Sequence, residues 1–115
     1  MREFGARFIF HGGKGNRLSD ALMYDIRREV SRLLQICEFG ASMENGNRGF
    51  DNQYAVPSID QYDPQSDELH ISYYWAFPLV PGHGDLWRLN SVGVPDLHIY
   101  CENLNVKLTF HTLLV

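Results

Sequence analysis

The sequence predicts an α+β fold, with a single amphipathic helix packed on one face of a mostly antiparallel sheet of four or five strands. Three observations predict it. Every second residue from Phe4 to Phe10 is apolar, apolar residues recur with helical spacing in residues 19–39, and further alternating segments follow in the second half. Alternation with a period of two is typical of a half-buried strand, whereas apolar residues at i, i+3 and i+4 indicate a helix. The expected element order is β-α-β-β-(β)-β.

Length and composition favour one globular domain. Typical domains contain about 100–150 residues, so we predict a single domain over residues 1–115. Hydrophobic residues make up 44% of the chain and charged residues 21%, which suits a chain with its own core. No apolar run is long enough for a membrane span, and the first residues lack the apolar segment of a signal peptide. We therefore expect a cytoplasmic protein that does not bind membranes.

The first strand and the helix are the clearest elements. In residues 4–11, the side chains expected on the buried face are Phe4, Ala6, Phe8 and Phe10. The helix is expected to begin at the capping residue Ser19 and to end before Gly40, which suits a left-handed terminal position. One apolar stripe runs along it and should face the sheet, formed by Leu22, Ile26, Val30, Leu33 and Cys37.

The remaining strands are predicted in the second half of the chain. Residues 54–59 indicate a short edge strand, because Pro57 cannot donate a hydrogen bond inside a sheet. Residues 63–66 have the composition of a turn, and Glu68–Phe77 has the strongest strand pattern. A terminal hairpin and an optional short strand complete the sheet, at Leu97–Cys101 with Val106–Leu114, and at Leu86–Leu89.

One face of the predicted sheet should lack a helix, because a single helix covers only one side. With the large apolar side chains turned toward the helix, the other face collects Arg7, His11, His70, Ser72, Tyr74, His98, Tyr100, Lys107, Thr109 and His111. Tyrosine and arginine are enriched in protein interfaces, so we predict a protein-binding surface with the contacts Arg7, Tyr74, His98 and Tyr100. A solvated sheet face is the alternative, and aromatic faces also stack RNA bases.

The charge distribution suggests a second contact region. Residues 1–39 carry seven basic and five acidic residues, and residues 40–115 carry three basic and nine acidic residues, which gives +2 and −6 for the overall charge of −4. An acidic chain is not typical of duplex-binding proteins. Four acidic residues could meet a partner protein with a basic or mixed surface, or form a solvated loop: Asp60, Asp63, Asp67 and Glu68.

The turn between the first strand and the helix is a candidate anion site. Backbone amides before a helix attract phosphate groups, and the candidate ligands in the Gly12–Asn16 region are Gly12, Gly13, Lys14, Gly15 and Arg17. This spacing matches neither the Walker pattern nor Gly-x-Gly-x-x-Gly. A turn that requires positive φ would explain the glycines without any ligand.

The sequence contains no complete catalytic or metal-binding pattern. There is no His-x-His pair and no Gly-x-Ser-x-Gly elbow, and Cys37 and Cys101 fit buried free thiols. We therefore expect no metal and no cofactor, although a pH-sensitive or metal-binding histidine face stays open. The predicted function is a small non-enzymatic protein-binding module, of the stoichiometric inhibitor or immunity type. The alternatives are an anionic ligand, nucleotide or RNA at the glycine turn, a small enzyme that uses His83 or His11, and a homodimer through the open sheet face.

Overall fold

The computed structural model describes residues 4–13, 15–34, 59–75 and 93–114. In this part of the chain two helices and four strands follow one another in the order β1 (Phe4–Gly12), α1 (Asp20–Leu34), β2 (Ile59–Asp63), β3 (Glu68–Trp75), α2 (Val94–Asn103) and β4 (Val106–Leu114). The predicted α+β class with an antiparallel sheet of four or five strands is confirmed, with four strands in the described residues, whereas the second helix, α2, was not predicted.

β1 lies in the middle of the sheet, whose strand order is β2-β3-β1-β4. It pairs antiparallel with β3 on one side and with β4 on the other. Phe8, for example, lies opposite Ile71 on β3 and opposite Phe110 on β4. Directly opposite residues share a face of the sheet, so these registers determine which side chains meet.

Both helices pack on the same face of this sheet. The core combines the buried stripes of α1 and α2 with alternate residues of two strands, which are Ala6, Phe8 and Phe10 on β1 and Leu69, Ile71 and Tyr73 on β3. At its centre, the ring of Phe8 lies 5.1 Å from that of Phe110 and 6.4 Å from that of Tyr73, between ring centroids. The buried residues of the helices are Met23, Ile26, Val30 and Leu33 on α1 and Val94, Leu97 and Cys101 on α2.

The N-terminus of α1 has the predicted cap. The hydroxyl of Ser19 accepts a hydrogen bond from the amide of Leu22 at 3.1 Å, and the Ser19 carbonyl accepts one from Met23 at 2.9 Å. The first bond satisfies an amide that has no backbone partner within the helix, and the second is the first regular bond of the helix. The predicted end of this helix, between Leu34 and Gly40, lies outside the described residues.

The prediction of a strand over Leu97–Cys101 is wrong, because these residues belong to α2. The segment alternates apolar and polar residues, but a run of five residues does not separate a strand from a helix. Val94, Leu97 and Cys101 are spaced by three and four residues and are all buried. Pro95 in the first turn suits a helix, since the first amides of a helix have no partner within it.

Two further predicted strands fall at the limits of the described residues. β2 begins at Ile59 and continues to Asp63, so the predicted strand at residues 54–59 overlaps it only at its last residue. Residues 54–58 and the optional strand at residues 86–89 lie outside the described part of the chain. The predicted strand Glu68–Phe77 is confirmed as β3 up to Trp75.

Candidate functional site

The open face is the side of the sheet opposite α1 and α2, and no helix of the described residues packs on it. The side chains that the structure describes on this face form three rows, which cross the strands in the order β2, β3, β1, β4. The first row is Ile59, Ser72, Arg7 and His111; the second is Gln61, His70, Ile9 and Thr109; the third is Asp63, Glu68, His11 and Lys107. Basic, imidazole and carboxylate groups therefore share one surface.

A shallow depression of about 360 Å³ lies on the β2–β3–β1 part of the open face. At its floor Ser72 is only 1% exposed, and its hydroxyl oxygen accepts a hydrogen bond from Nε of Arg7 at 3.3 Å. This bond joins the neighbouring strands β1 and β3 and holds the guanidinium beside the depression. The residues that line it are Arg7, Ile59, Gln61, Asp63, His70 and Ser72.

Glu68 lies between two histidines of the open face. Its Oε2 is 3.5 Å from Nδ1 of His11, its cross-strand neighbour on β1, and its Oε1 is 3.3 Å from Nε2 of His70. Each carboxylate oxygen therefore faces a different imidazole, and protonation of either ring would create an ion pair. Within the described residues, no group of three histidine, cysteine or acidic side chains is arranged to hold a metal ion.

The acidic residues proposed as a second contact region do not form one patch. They belong to the β2–β3 hairpin rather than to a loop, and successive residues of β2 point to opposite faces. Asp60 lies on the helix side, where Arg27 donates to it from Nε at 2.8 Å and from Nη2 at 2.9 Å. Asp63 lies on the open face, and the Gln65 amide that donates to it at 2.9 Å is the main cause of its lowered pKa.

The side chain of Asp67 connects parts of the fold through hydrogen bonds instead of contributing to an acidic contact surface. Its Oδ1 accepts hydrogen bonds from the amide of Leu18 at 3.1 Å and from the hydroxyl of Tyr62 at 2.7 Å. The bond from Tyr62 to this carboxylate raises the pKa of the Tyr62 hydroxyl. Asp67 has a φ of 55°, a left-handed conformation that aspartate tolerates better than most residues. Sequence reasoning missed this role, because Leu18 is 49 positions away along the chain.

Two glycines of the candidate anion site are explained by close packing. A Cβ atom on Gly12 would lie 1.9 Å from Oδ2 of Asp67, and one on Gly13 would lie 2.1 Å from the backbone oxygen of Asn105. Gly15 has a φ of 74°, a left-handed backbone conformation that favours glycine. The glycines therefore allow the β1–α1 turn to pack on the β2–β3 turn and on the α2–β4 turn.

Of the two charged members of the candidate anion site, the structure describes only Arg17. The guanidinium of Arg17 donates to the carbonyl oxygen of Pro64 at 2.6 Å, and Lys14 lies outside the described residues. The Leu18 amide, just before α1, donates to the carboxylate of Asp67. An acidic side chain of the protein thus occupies a position at which an external anion would otherwise be expected, and the anion site stays a prediction.

The other predicted contacts are divided between the two sides of the sheet. Tyr74 pairs with Gly5 in the β3–β1 register, which places it at an open-face position. His98 and Tyr100 belong to α2 and therefore do not share a face with Arg7, contrary to the predicted hairpin.

Tyr100 lines a groove of about 330 Å³ between the two helices, with Asp25, Arg28, Glu29 and Arg32. Burial, followed by the carboxylates of Asp25 and Glu29, raises the pKa of its hydroxyl. This groove lies on the opposite side of the molecule from the depression, so the structure separates two of the predicted contacts from the rest.

Comparison with protein-family models, curated proteins and solved structures gives no match to this chain. None of the helices in the described ranges combines the length and the apolar character needed to cross a membrane.

Proposed function

We propose that the protein is a non-enzymatic protein-binding module and that the open face is its contact surface. The observation that supports this most directly is the depression beside Arg7, whose guanidinium is positioned by the buried hydroxyl of Ser72. A positioned cation next to a concave, partly apolar surface is a typical anchor site in protein interfaces, where arginine is enriched. Ile59, which is 39% exposed, adds apolar area at the rim.

The dimensions of the open face suit a protein partner. Four strands with a spacing of about 4.8 Å and a rise of about 3.3 Å per residue give a flat area on the order of 500 Å². A standard interface buries about 800 Å² on each partner. The sheet surface together with its flanking side chains is thus of the size that a specific but modest interface requires.

The charges of the open face favour a partner with a mixed surface. Arg7 and Lys107 carry positive charge on β1 and β4, whereas Asp63 and Glu68 carry negative charge on β2 and β3. Because the two signs lie on opposite halves of the sheet, a partner with the complementary division would be oriented during encounter. Within this proposal, a stoichiometric inhibitor or an immunity-type protein is the class that we infer.

The test compares partner capture by the protein and by three variants whose folding is first verified by circular dichroism. Arg7→Ala removes the cation of the depression, and Gln61→Trp fills the depression with a residue that strands accept. Arg28→Ala is the matched control, because it removes an exposed arginine from the helix side. Proteins retained from a lysate of the native cell would be identified by mass spectrometry, and the purified partner titrated by calorimetry.

We expect a one-to-one partner that the Arg28→Ala variant retains and that the Arg7→Ala and Gln61→Trp variants lose. A partner that all three variants retain with equal affinity would place the contact outside the open face. The inhibitor class has its own readout: the activity of the purified partner should fall to a plateau at a molar ratio of one. Binding without any loss of activity would overturn that class and leave the binding module in place.

A further inference from the structure

The two edges of the sheet differ in how they are protected. An edge strand exposes a row of unpaired amides and carbonyls, and natural proteins protect such edges with short strands, charges, prolines or bulges. β2 has only five residues, carries Asp60 and Asp63, and is followed at once by Pro64. Three of these protective devices are therefore present at the β2 edge.

β4 has few of these devices. It has nine residues and no proline, and Lys107, next to its first residue, is its only residue with a fixed charge. It pairs with β1 from Gly12↔Val106 to Phe4↔Leu114 without any offset, so no bulge interrupts it. Among the described strands, β4 pairs with β1 alone. Within the described ranges, no strand occupies its outer edge at any of its nine residues.

We propose that this edge pairs antiparallel with β4 of a second copy of the chain, about a two-fold axis perpendicular to the sheet at Phe110. Phe110 is the central residue of the nine, so this register pairs the whole strand, and a shift of the axis would leave residues unpaired. The four strands of each copy would form one continuous sheet. A two-fold axis of this kind is the commonest symmetry of protein dimers.

The side chains of β4 are compatible with this register. Lys107 lies opposite Leu113 of the second copy, and Thr109 lies opposite His111, so no like charges face each other. Phe110 lies opposite its own copy on the helix side of the sheet, where it is only partly buried in the single chain. Directly opposite aromatic residues stabilise antiparallel pairs, so the same strand is complementary to itself. This self-complementarity favours a second copy over an unrelated strand.

The dimer does not depend on the proposed function, but it has a consequence for it. Because the axis is perpendicular to the sheet, both pairs of helices would lie on one side and both open faces on the other. The dimer would therefore present two copies of the depression side by side on a single surface.

The test measures the mass of the full chain by sedimentation equilibrium over a range of concentrations, with a matched pair of double variants. Thr109→Lys with His111→Lys places like charges opposite each other at both positions about the axis. Thr109→Lys with His111→Glu places opposite charges there instead. The residues at 109 and 111 are exposed, and circular dichroism with thermal unfolding would verify that both variants fold.

We expect the protein and the Thr109→Lys/His111→Glu variant to reach twice the chain mass of 13.3 kDa, and the Thr109→Lys/His111→Lys variant to stay at 13.3 kDa. Hydrogen exchange of the β4 amides should slow as the dimer forms. A chain that stays at 13.3 kDa at every concentration would overturn the proposal, as would a dimer that both variants keep equally. The Arg7→Ala and Gln61→Trp variants should remain dimeric, so a failure of the proposed function is distinguishable from a failure of this inference.

Discussion

The carboxylate of Asp67 accepts a hydrogen bond from the backbone amide of Leu18, 3.1 Å away, and so connects the β2–β3 hairpin to the start of α1. The same oxygen accepts the hydroxyl of Tyr62 at 2.7 Å, and the amide of Gly12 donates to the Asp67 carbonyl at 3.2 Å. One residue of a tight turn therefore joins β1, α1 and β2.

Replacement of Asp67 should lower the stability of the fold more than replacement of an ordinary turn residue would. Asp67→Ala leaves the Leu18 amide and the Tyr62 hydroxyl without their acceptor, and a lost partner of this kind costs about 1–3 kcal/mol. Alanine also tolerates the φ of 55° less well than aspartate does. We expect the free energy of unfolding in urea to fall by about 2 kcal/mol or more, and less for Asp67→Asn, which keeps one acceptor oxygen.

The exposed Glu102 on α2 supplies the control for this experiment. Glu102→Ala removes a carboxylate near the C-terminus of a helix, where negative charge is unfavourable, so stability should stay the same or rise slightly. Equal losses in the Asp67→Ala and Glu102→Ala variants would contradict an internal structural role for Asp67.

The three glycines of the β1–α1 turn should differ in their tolerance of alanine. Gly13→Ala meets the backbone oxygen of Asn105 at 2.1 Å, which cannot move without the α2–β4 turn. Gly12→Ala meets the mobile end of the Asp67 side chain at 1.9 Å and the backbone oxygen of Asn16 at 2.8 Å. Gly15→Ala meets nothing within 4 Å and costs only the left-handed backbone strain, about 1–2 kcal/mol.

The expected order of melting temperatures is therefore Gly15→Ala highest, Gly12→Ala next and Gly13→Ala lowest. Thermal unfolding followed by circular dichroism measures it. A Gly15→Ala variant that is the least stable of the three would show that close packing is not what requires glycine at positions 12 and 13.

A comparison of Leu97 and Ile99 tests the helix that sequence reasoning did not predict. In a strand the two side chains would point to the same face, whereas in α2 Leu97 is 1% exposed and Ile99 is 58% exposed. Leu97→Ala should lower the free energy of unfolding by about 2–5 kcal/mol, and Ile99→Ala should change it by about 0.5 kcal/mol or less. Similar losses at both positions would support the strand instead of α2.

Alkaline pH should destabilise the protein through Cys101. Burial raises the pKa of this thiol from an ordinary 9.0 to about 12. The unfolded chain then releases the thiol proton at a lower pH than the folded chain, so the stabilising contribution is present below pH 9.0 and is lost as the pH rises toward 12. The raised pKa values of Tyr62 and Tyr100 act in the same direction above their ordinary value of 10.0.

Urea unfolding at a series of alkaline pH values measures this effect, and Cys101→Ala is the variant that isolates the thiol. We expect a smaller decrease of stability with pH in that variant than in the unchanged chain. Alkylation gives a second readout, because iodoacetamide should label Cys101 only after unfolding. Rapid labelling of Cys101 in the folded protein at neutral pH would contradict its burial.

The parts of the fold that the sequence predicts are those that local patterns determine. Ala6, Phe8 and Phe10 recur with a period of two and are buried as expected, and Ser19 caps α1. Each of these features depends on neighbours within a few positions, so a period or a cap is sufficient to identify it.

The parts that were missed depend on tertiary contacts. The pattern of the five residues Leu97–Cys101 is compatible with both a strand and a helix. Packing of this segment against β4 and α1 favours the helix. The role of Asp67 depends on Leu18 and Gly12, which are brought to it by the strand register. The open face, by contrast, was predicted for its β1, β3 and β4 positions, because alternation in those strands determines which residues share it.

The central position of β1 has a consequence for how the chain acquires its structure. Both neighbours of β1 are distant in sequence, since Phe8 pairs with Ile71 and with Phe110. During translation β1 therefore has no strand to pair with until first β3 and then β4 have left the ribosome. Domains dominated by such distant pairings fold slowly. An apolar strand that stays unpaired during this time exposes hydrophobic surface, which chaperones bind. Nascent chains arrested before residue 106 should therefore bind chaperones more strongly than the released protein.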